Sequence, residues 1–152
     1  MEYLIRAARI TDVDRLVALS QETLRTSGGR GSLVAADLLR QLVYLPQASI
    51  LVAEEGRDLV GGAVLALRPS VRAGGYVGTV DLLLVDPRHD VDRVTEALLE
   101  EVLRSARNKG CTVVEAAQPE DSEERDRLNR LGFVGADPLL MRPVAAAAAA
   151  RR

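Results

Sequence analysis

The sequence predicts one mixed α/β domain, with a central mixed sheet of six or seven strands flanked by about four helices. Three observations carry this expectation. Short apolar runs rich in Val, Ile and Leu alternate with turns marked by Gly, Pro and Asp, as strands do. Residues 91–108 sit between two such runs and repeat apolar positions at spacings of three and four, as a crossover helix does. The chain has 152 residues, 47% of them hydrophobic, which suits a single domain that buries a core without staples.

The elements follow in order. Tyr3 to Arg9 reads as a strand through Leu4 and Ile5. Thr11-Asp-Val-Asp14 resembles a capping box, and Val13, Leu16, Val17, Leu19 and Leu24 give the next helix its apolar face. Ser27-Gly-Gly-Arg-Gly31 breaks the chain, and Ser32 caps a second helix that runs through Leu38, Leu39, Leu42 and Val43 and stops before Pro46. Ala48 to Glu54 and Leu59 to Leu67 are strands joined by the hairpin turn Glu55-Gly56-Arg57-Asp58. Gly61 and Gly62 mark a bulge or a close backbone approach. Pro69 to Gly75 is a loop.

The stretch from Gly78 to Gly110 organises the rest. Thr79 to Val85 is an apolar strand interrupted by Asp81, and Asp86-Pro87-Arg88-His89 is a turn. Asp90 caps the long helix, whose apolar stripe is Val94, Leu98 and Val102 with Ala97, Leu99, Leu103 and Ala106 beside them. Glu100 and Arg104 stand in the favourable i,i+4 order on the polar face. Gly110 is the expected left-handed end. A strand feeding a helix N-terminus aims N–H groups and a positive dipole at one point, which is a common anion site. Thr112 to Ala117 is another strand, Glu120 to Arg130 a charged helix ended by Gly132, and Phe133-Val134 and Leu139 to Val144 short terminal strands. Residues 1–144 form the domain, and 145–152 are a low-complexity tail.

Composition excludes several classes. A net charge of −2 gives no global field toward nucleic acid or an anionic membrane. One cysteine and one histidine exclude an internal disulfide and a Cys- or His-rich metal site. No apolar run approaches the ~20 residues of a membrane span, and MEYLIRAARI lacks the layout of a secretory leader. The expectation is a cytoplasmic protein with neither nucleic-acid nor membrane partner, with a homodimer left open.

Five segments in order resemble the GNAT superfamily of N-acetyltransferases. IRAARITDVDRLVAL is similar to its first strand and helix, LVAEEGRDLVGGAVL to its second and third strands, VDLLLVDP to its fourth, KGCTVVEA to its fifth, and LNRLGFV to the close of its last helix. The resemblance covers nearly the whole chain up to Pro143. It implies acyl transfer from acetyl-CoA to a primary amine on a small molecule or a protein. It places the donor along Leu83, Leu84 and Val85 and around Arg88, Val91, Arg93, Val94 and Thr95.

The family's pyrophosphate motif, R-G-x-G-x-G, is altered. Between Val85-Asp86-Pro87 and Ala97-Leu98-Leu99 the length matches without a gap, yet the motif's Arg falls on Asp90 and its glycines on Val91, Arg93 and Thr95. Side chains there crowd a phosphate, and Asp90 repels it. Arg88 and Arg93 offset some of that charge. The Asn and Tyr that members often carry in the last helix read Asp121 and Leu128. Asp81 keeps the place of the family's strand acid and is the candidate base, because burial in an apolar strand suits a carboxyl to proton transfer near neutral pH. Two functions follow: an acetyl-CoA-dependent N-acyltransferase with impaired donor binding, or a GNAT-like binding module without catalysis. His89 is expected to be merely exposed, Cys111 packed, and Tyr76 packed at its strand start.

Overall fold

The computed structural model describes residues 2–24, 32–135 and 142. Its elements are β1 (Leu4–Ala7), a single 3-10 turn (Ile10–Asp12), α1 (Val13–Leu24), α2 (Ser32–Val43), β2 (Ala48–Glu55), β3 (Asp58–Ser70), β4 (Gly75–Val85), α3 (Val91–Asn108), β5 (Cys111–Ala116) and α4 (Ser122–Arg130). Strand order in the sheet equals chain order. The first four strands are antiparallel, and β5 joins β4 in parallel after the α3 crossover.

Side-chain alternation divides the core between the two faces. Ala53, Leu65 and Val80 face α3, where Val94, Leu98, Leu99 and Val102 are almost wholly buried. Ile50, Val52 and Val64 face Val13, Leu16 and Val17 of α1 and Leu39 of α2. Leu128, Leu131 and Phe133 also pack into the α3-side core, so α4 shares that face. The glycine pair in β3 answers to both faces. A Cβ on Gly61 would lie 2.8 Å from the Leu84 carbonyl oxygen, and one on Gly62 would lie 2.4 Å from Leu16. A bulge occurs beside them, where the register shifts between Ala53 and Glu54.

The long helix follows its sequence signals closely. The Asp90 carboxylate accepts the Arg93 N–H at 3.2 Å, and Gly110 ends the helix at φ 84°. Several expectations need correction. The described residues hold five strands, not six or seven. After α4, Gly132 turns left-handed at φ 94° and the Phe133 N–H bonds back to the Leu128 carbonyl, which folds Phe133 against the core instead of into a strand. Leu139 to Val144 lies outside the described residues except for Arg142, as do the Ser27–Gly31 break and the tail from residue 145. The loop expected at Pro69 begins two residues later, since Pro69 still pairs with Tyr76. The acid that reaches back at the first helix is Asp12, which accepts the Arg9 N–H at 2.7 Å, rather than Asp14. Arg104 pairs with Glu101 at 2.7 Å, not with Glu100.

Candidate active site

β4 is paired along both edges only as far as Val80. Its ladder with β5 runs from Tyr76 opposite Cys111 to Val80 opposite Ala116 and stops. Beyond that point β4 continues to Val85 on β3 alone. Among the described residues, the β4 N–H groups that would have met β5 past Val80 have no strand partner, and the two strands part there. At the same place the β3 register passes from Leu65 opposite Val80 to Val64 opposite Leu82. Asp81 is the extra residue of that bulge, and a bulged residue drops out of the ladder and re-aims its side chain. Asp81 is therefore exposed, a correction to the expectation of burial in an apolar strand. The next residues line the free stretch. Leu83 and Val85 are half-buried against the α3-side core, and Leu84 is buried at 3% exposure.

The loop from β4 to α3 is closed by its own side chains. Asp86 is buried and accepts the Arg88 backbone N–H at 3.0 Å and its guanidinium at 2.7 Å. The Arg88 guanidinium holds the Asp86 carboxyl below the usual carboxylate range. Arg88 is thus engaged with Asp86. The Asp90 N–H points to the Tyr3 hydroxyl at 3.4 Å, and Arg93 lies over the Tyr3 ring at 5.9 Å. His89 is half-buried, not merely exposed. Its Nδ1 sits 2.8 Å from a Glu55 carboxylate oxygen, and its ring meets Tyr3 edge-on. Val91 is half-buried, Arg93 is exposed, and Val94 and Thr95 are buried within the first turns of α3.

Two open pockets flank this loop. One, of about 520 Å³, is lined by Arg15, Asp58, Asp86, Arg88 and His89. The other, of about 300 Å³, is lined by Tyr3, Arg93, Glu96 and Glu100. Neither includes Asp81. On β5, Glu115 accepts the Thr79 hydroxyl at 3.1 Å and lies 3.5 Å from Arg68. Between α4 and α3, Arg127 donates to Asp92 at 2.6 Å, with Arg130 at 3.6 Å from the same oxygen. Cys111 is half-buried, and burial raises its thiol pKa. Tyr76 is exposed at 46% instead of packed, since it stands at the irregular start of the β4–β5 ladder. Among the described residues no three His, Cys, Asp or Glu side chains converge as a metal site requires, and no helix is long and apolar enough to cross a membrane.

The pattern of the Acetyltransferase (GNAT) family matches residues 13–133. The chain belongs to that family. Solved structures place it there by fold as well. The ribosomal-protein-alanine N-acetyltransferase of Brucella melitensis biovar Abortus 2308 is 20% identical, with 93% of this chain and 99% of that one covered and a TM-score of 0.74. An integron cassette protein from the mobile metagenome of Cole Harbour Salt Marsh is 27% identical over 92% of this chain and 89% of its own, with a TM-score of 0.79. The glucosamine-6-phosphate N-acetyltransferase of Arabidopsis thaliana is 17% identical over 95% and 99%, with a TM-score of 0.73. No curated protein matches the chain.

GNAT enzymes use acetyl-CoA, and two parts of this chain answer differently to such a donor. Among the described residues β4 beyond Val80 has β3 as its only strand neighbour, so the backbone edge that faced β5 is unpaired by any strand there. The α3 N-terminus does not fit a pyrophosphate as the family's glycine loop does. Its cap position holds a carboxylate, one first-turn N–H is spent on that carboxylate, and the Asp90 N–H is spent on Tyr3. Reading along the sequence missed Glu115, Tyr3, Glu55 and the Asp92–Arg127 pair. Each acts through a partner tens of residues away, where no local spacing signals it.

Proposed function

We propose that the chain is an N-acyltransferase working at the β4–β5 opening, with acetyl-CoA as acyl donor, Asp81 as proton acceptor and a weakened hold on the donor's pyrophosphate. The observation that carries this reading is Asp81 itself, an exposed bulge carboxylate at the point where β4 leaves β5. An amine attacks the thioester carbonyl carbon while its proton passes to Asp81, directly or through water. The C–N bond forms, the C–S bond breaks, and the sulfur leaves as a thiolate that solvent protonates. Unpaired β4 N–H groups near the bulge stabilise the carbonyl oxygen as its charge grows. Leu128 stands where members carry a Tyr, so no side chain of α4 is assigned to the thiolate. The acceptor is an amine of a small molecule or a protein, and a cytoplasmic location with a reduced Cys111 suits the reading.

The test is acetyl transfer to a panel of primary amines, followed by mass spectrometry, with acetyl-CoA and S-acetylpantetheine as donors. The expected result is product from both, with S-acetylpantetheine losing little relative to acetyl-CoA because the pyrophosphate contributes little binding. No product from either donor would favour the second reading, a GNAT-fold module without catalysis. The self-capped α3 loop supports that alternative.

A further inference from the structure

The open pocket of about 520 Å³ lies on the α1 side of the β4–α3 loop and has no part in the acyl-transfer chemistry. Three elements wall it. Arg15 and Ala18 come from α1, Asp58 and Leu59 from the start of β3, and Asp86 and His89 from the loop. Its polar groups differ in how far they are engaged. Asp86 is buried and bonded to Arg88. Arg15 gives one N–H to the Arg57 carbonyl at 2.7 Å, which fixes its guanidinium beside the β2–β3 hairpin. A second nitrogen lies 3.8 Å from Asp12, too far for a hydrogen bond. Arg15 therefore keeps donors that no described residue takes. His89 is anchored at Nδ1 by Glu55 at 2.8 Å. A carboxylate only accepts, so in the neutral ring the proton is on Nδ1 and Nε2 is left as an acceptor. Nε2 has no partner among the described residues, and none of their buried side-chain polar atoms lacks one, so Nε2 reaches open space. The exposed Asp58 carboxylate likewise makes no hydrogen bond or ion pair among the described residues.

One cavity thus holds two unengaged acceptors beside a fixed guanidinium, with Ala18 and Leu59 as an apolar wall. An anion alone is repelled by Asp58, and a cation alone by Arg15. A molecule with both charges close together and an aliphatic group beside them satisfies the whole set. We propose that this cavity binds a free α-amino acid with an aliphatic side chain. Its carboxylate meets Arg15, its ammonium group donates to Asp58 and to Nε2 of His89, and its side chain lies on Ala18 and Leu59. The ligand is not the acyl acceptor. Asp86 stands five residues beyond Asp81, roughly 16 Å along an extended chain, and Asp81 does not line the cavity. Binding there needs no acyl transfer and stands apart from the acyl-transfer reading.

The chain has one histidine, so the imidazole C–H resonance in proton NMR reports on the cavity without assignment. The whole chain is titrated with L-leucine, with leucinamide, which lacks the carboxylate, and with 4-methylpentanoate, which lacks the ammonium group. Leucine should move the resonance saturably in the millimolar range, and each analogue should bind about tenfold more weakly. Arg15→Gln should weaken leucine by about the same factor and leave leucinamide unchanged. Asp58→Asn should weaken leucine and make 4-methylpentanoate no weaker. Melting curves check that each variant is folded, and the analogue series on the unaltered chain decides the matter even where a variant melts early. No saturable shift with leucine, equal affinity for the three compounds, or an equal loss of all three in both variants overturns the proposal. Acetyl transfer from S-acetylpantetheine should run at the same rate in both variants, and its absence from the unaltered chain would count against the acyl-transfer reading alone.

Discussion

The two ends of the segment from Asp81 to Arg93 make opposite use of charge. At the β4 end a carboxylate stands exposed in a bulge, beside backbone that no strand among the described residues covers on the β5 side. At the α3 end the carboxylates of Asp86, Asp90 and Asp92 are each bonded to a backbone N–H or a guanidinium. The open end depends on strand geometry, which the packing of β3 and β4 imposes whatever side chains follow. The closed end depends on three missing glycines, and ordinary side chains have refilled the space. On the acyl-transfer reading, the fold would keep the place of the chemistry and change how the donor is gripped.

The largest expected effect breaks the open end. Asp81→Asn should lower acetyl-transfer turnover by about 10²- to 10⁴-fold, the usual range for a positioned base. As an exposed site it should leave the melting temperature within about 2 °C. A large stability loss with unchanged turnover would make Asp81 structural and remove the contrast.

A second buried charge lies away from both ends, where Arg6 of β1 reaches Glu54 and the buried Asp12. Arg6→Met leaves that carboxylate with only the Arg9 N–H at 2.7 Å and Arg15 at 3.8 Å, and should cost about 1–3 kcal/mol, measured by denaturant titration. The same pair sets an acid response. Arg6 lowers the Asp12 carboxyl and Arg88 lowers the Asp86 carboxyl relative to the unfolded chain. This stability is present above the ordinary carboxylate range and is lost as pH falls through the lowered values. Stability should decline on acidification below about pH 4, and Arg6→Met should flatten that decline.

Part of this contrast is legible in the sequence. The span of α3 follows from its own periodicity and from the caps Asp90 and Gly110, which are local signals. The β2–β3 hairpin follows from Glu55 to Asp58, and both glycines of β3 meet the close contacts their pairing implied. The altered cap is visible because Asp90 falls where the family motif has an Arg. The exposure of Asp81 is hidden, because a bulge leaves an apolar run looking regular. The His89–Glu55 and Asp92–Arg127 pairs join residues distant in sequence, and the strand expected at Phe133 is lost to a turn that only tertiary packing decides.

A smaller effect sharpens the comparison by reopening the closed end. The combination Asp90→Arg, Val91→Gly, Arg93→Gly and Thr95→Gly should strengthen acetyl-CoA binding in calorimetry. Like charges near 4 Å cost about 1–4 kcal/mol at effective dielectrics of 80 to 20, and that repulsion is removed. The three glycines should lower stability by roughly 1 kcal/mol each, with more at buried Thr95. Micromolar or tighter binding by the unaltered chain would show that the loop never closed. The smallest effect is Asp90→Ala, which should cost about 1 kcal/mol of stability through loss of the cap.

The coincidence of strand order and chain order has a consequence for how the molecule assembles. β2, β3 and β4 are joined by short turns at Gly56 and Gly74, so they can zip as a local meander with little loop entropy to overcome. β5 cannot join until the crossover through α3 has formed, because a parallel neighbour has no local turn. The parting of β4 from β5 therefore lies on a seam between an early-folding and a late-folding half. Pulse-labelled hydrogen exchange should protect Val52, Ala63 and Leu84 before Val114, with Asp81 standing at the boundary in time as it does in space.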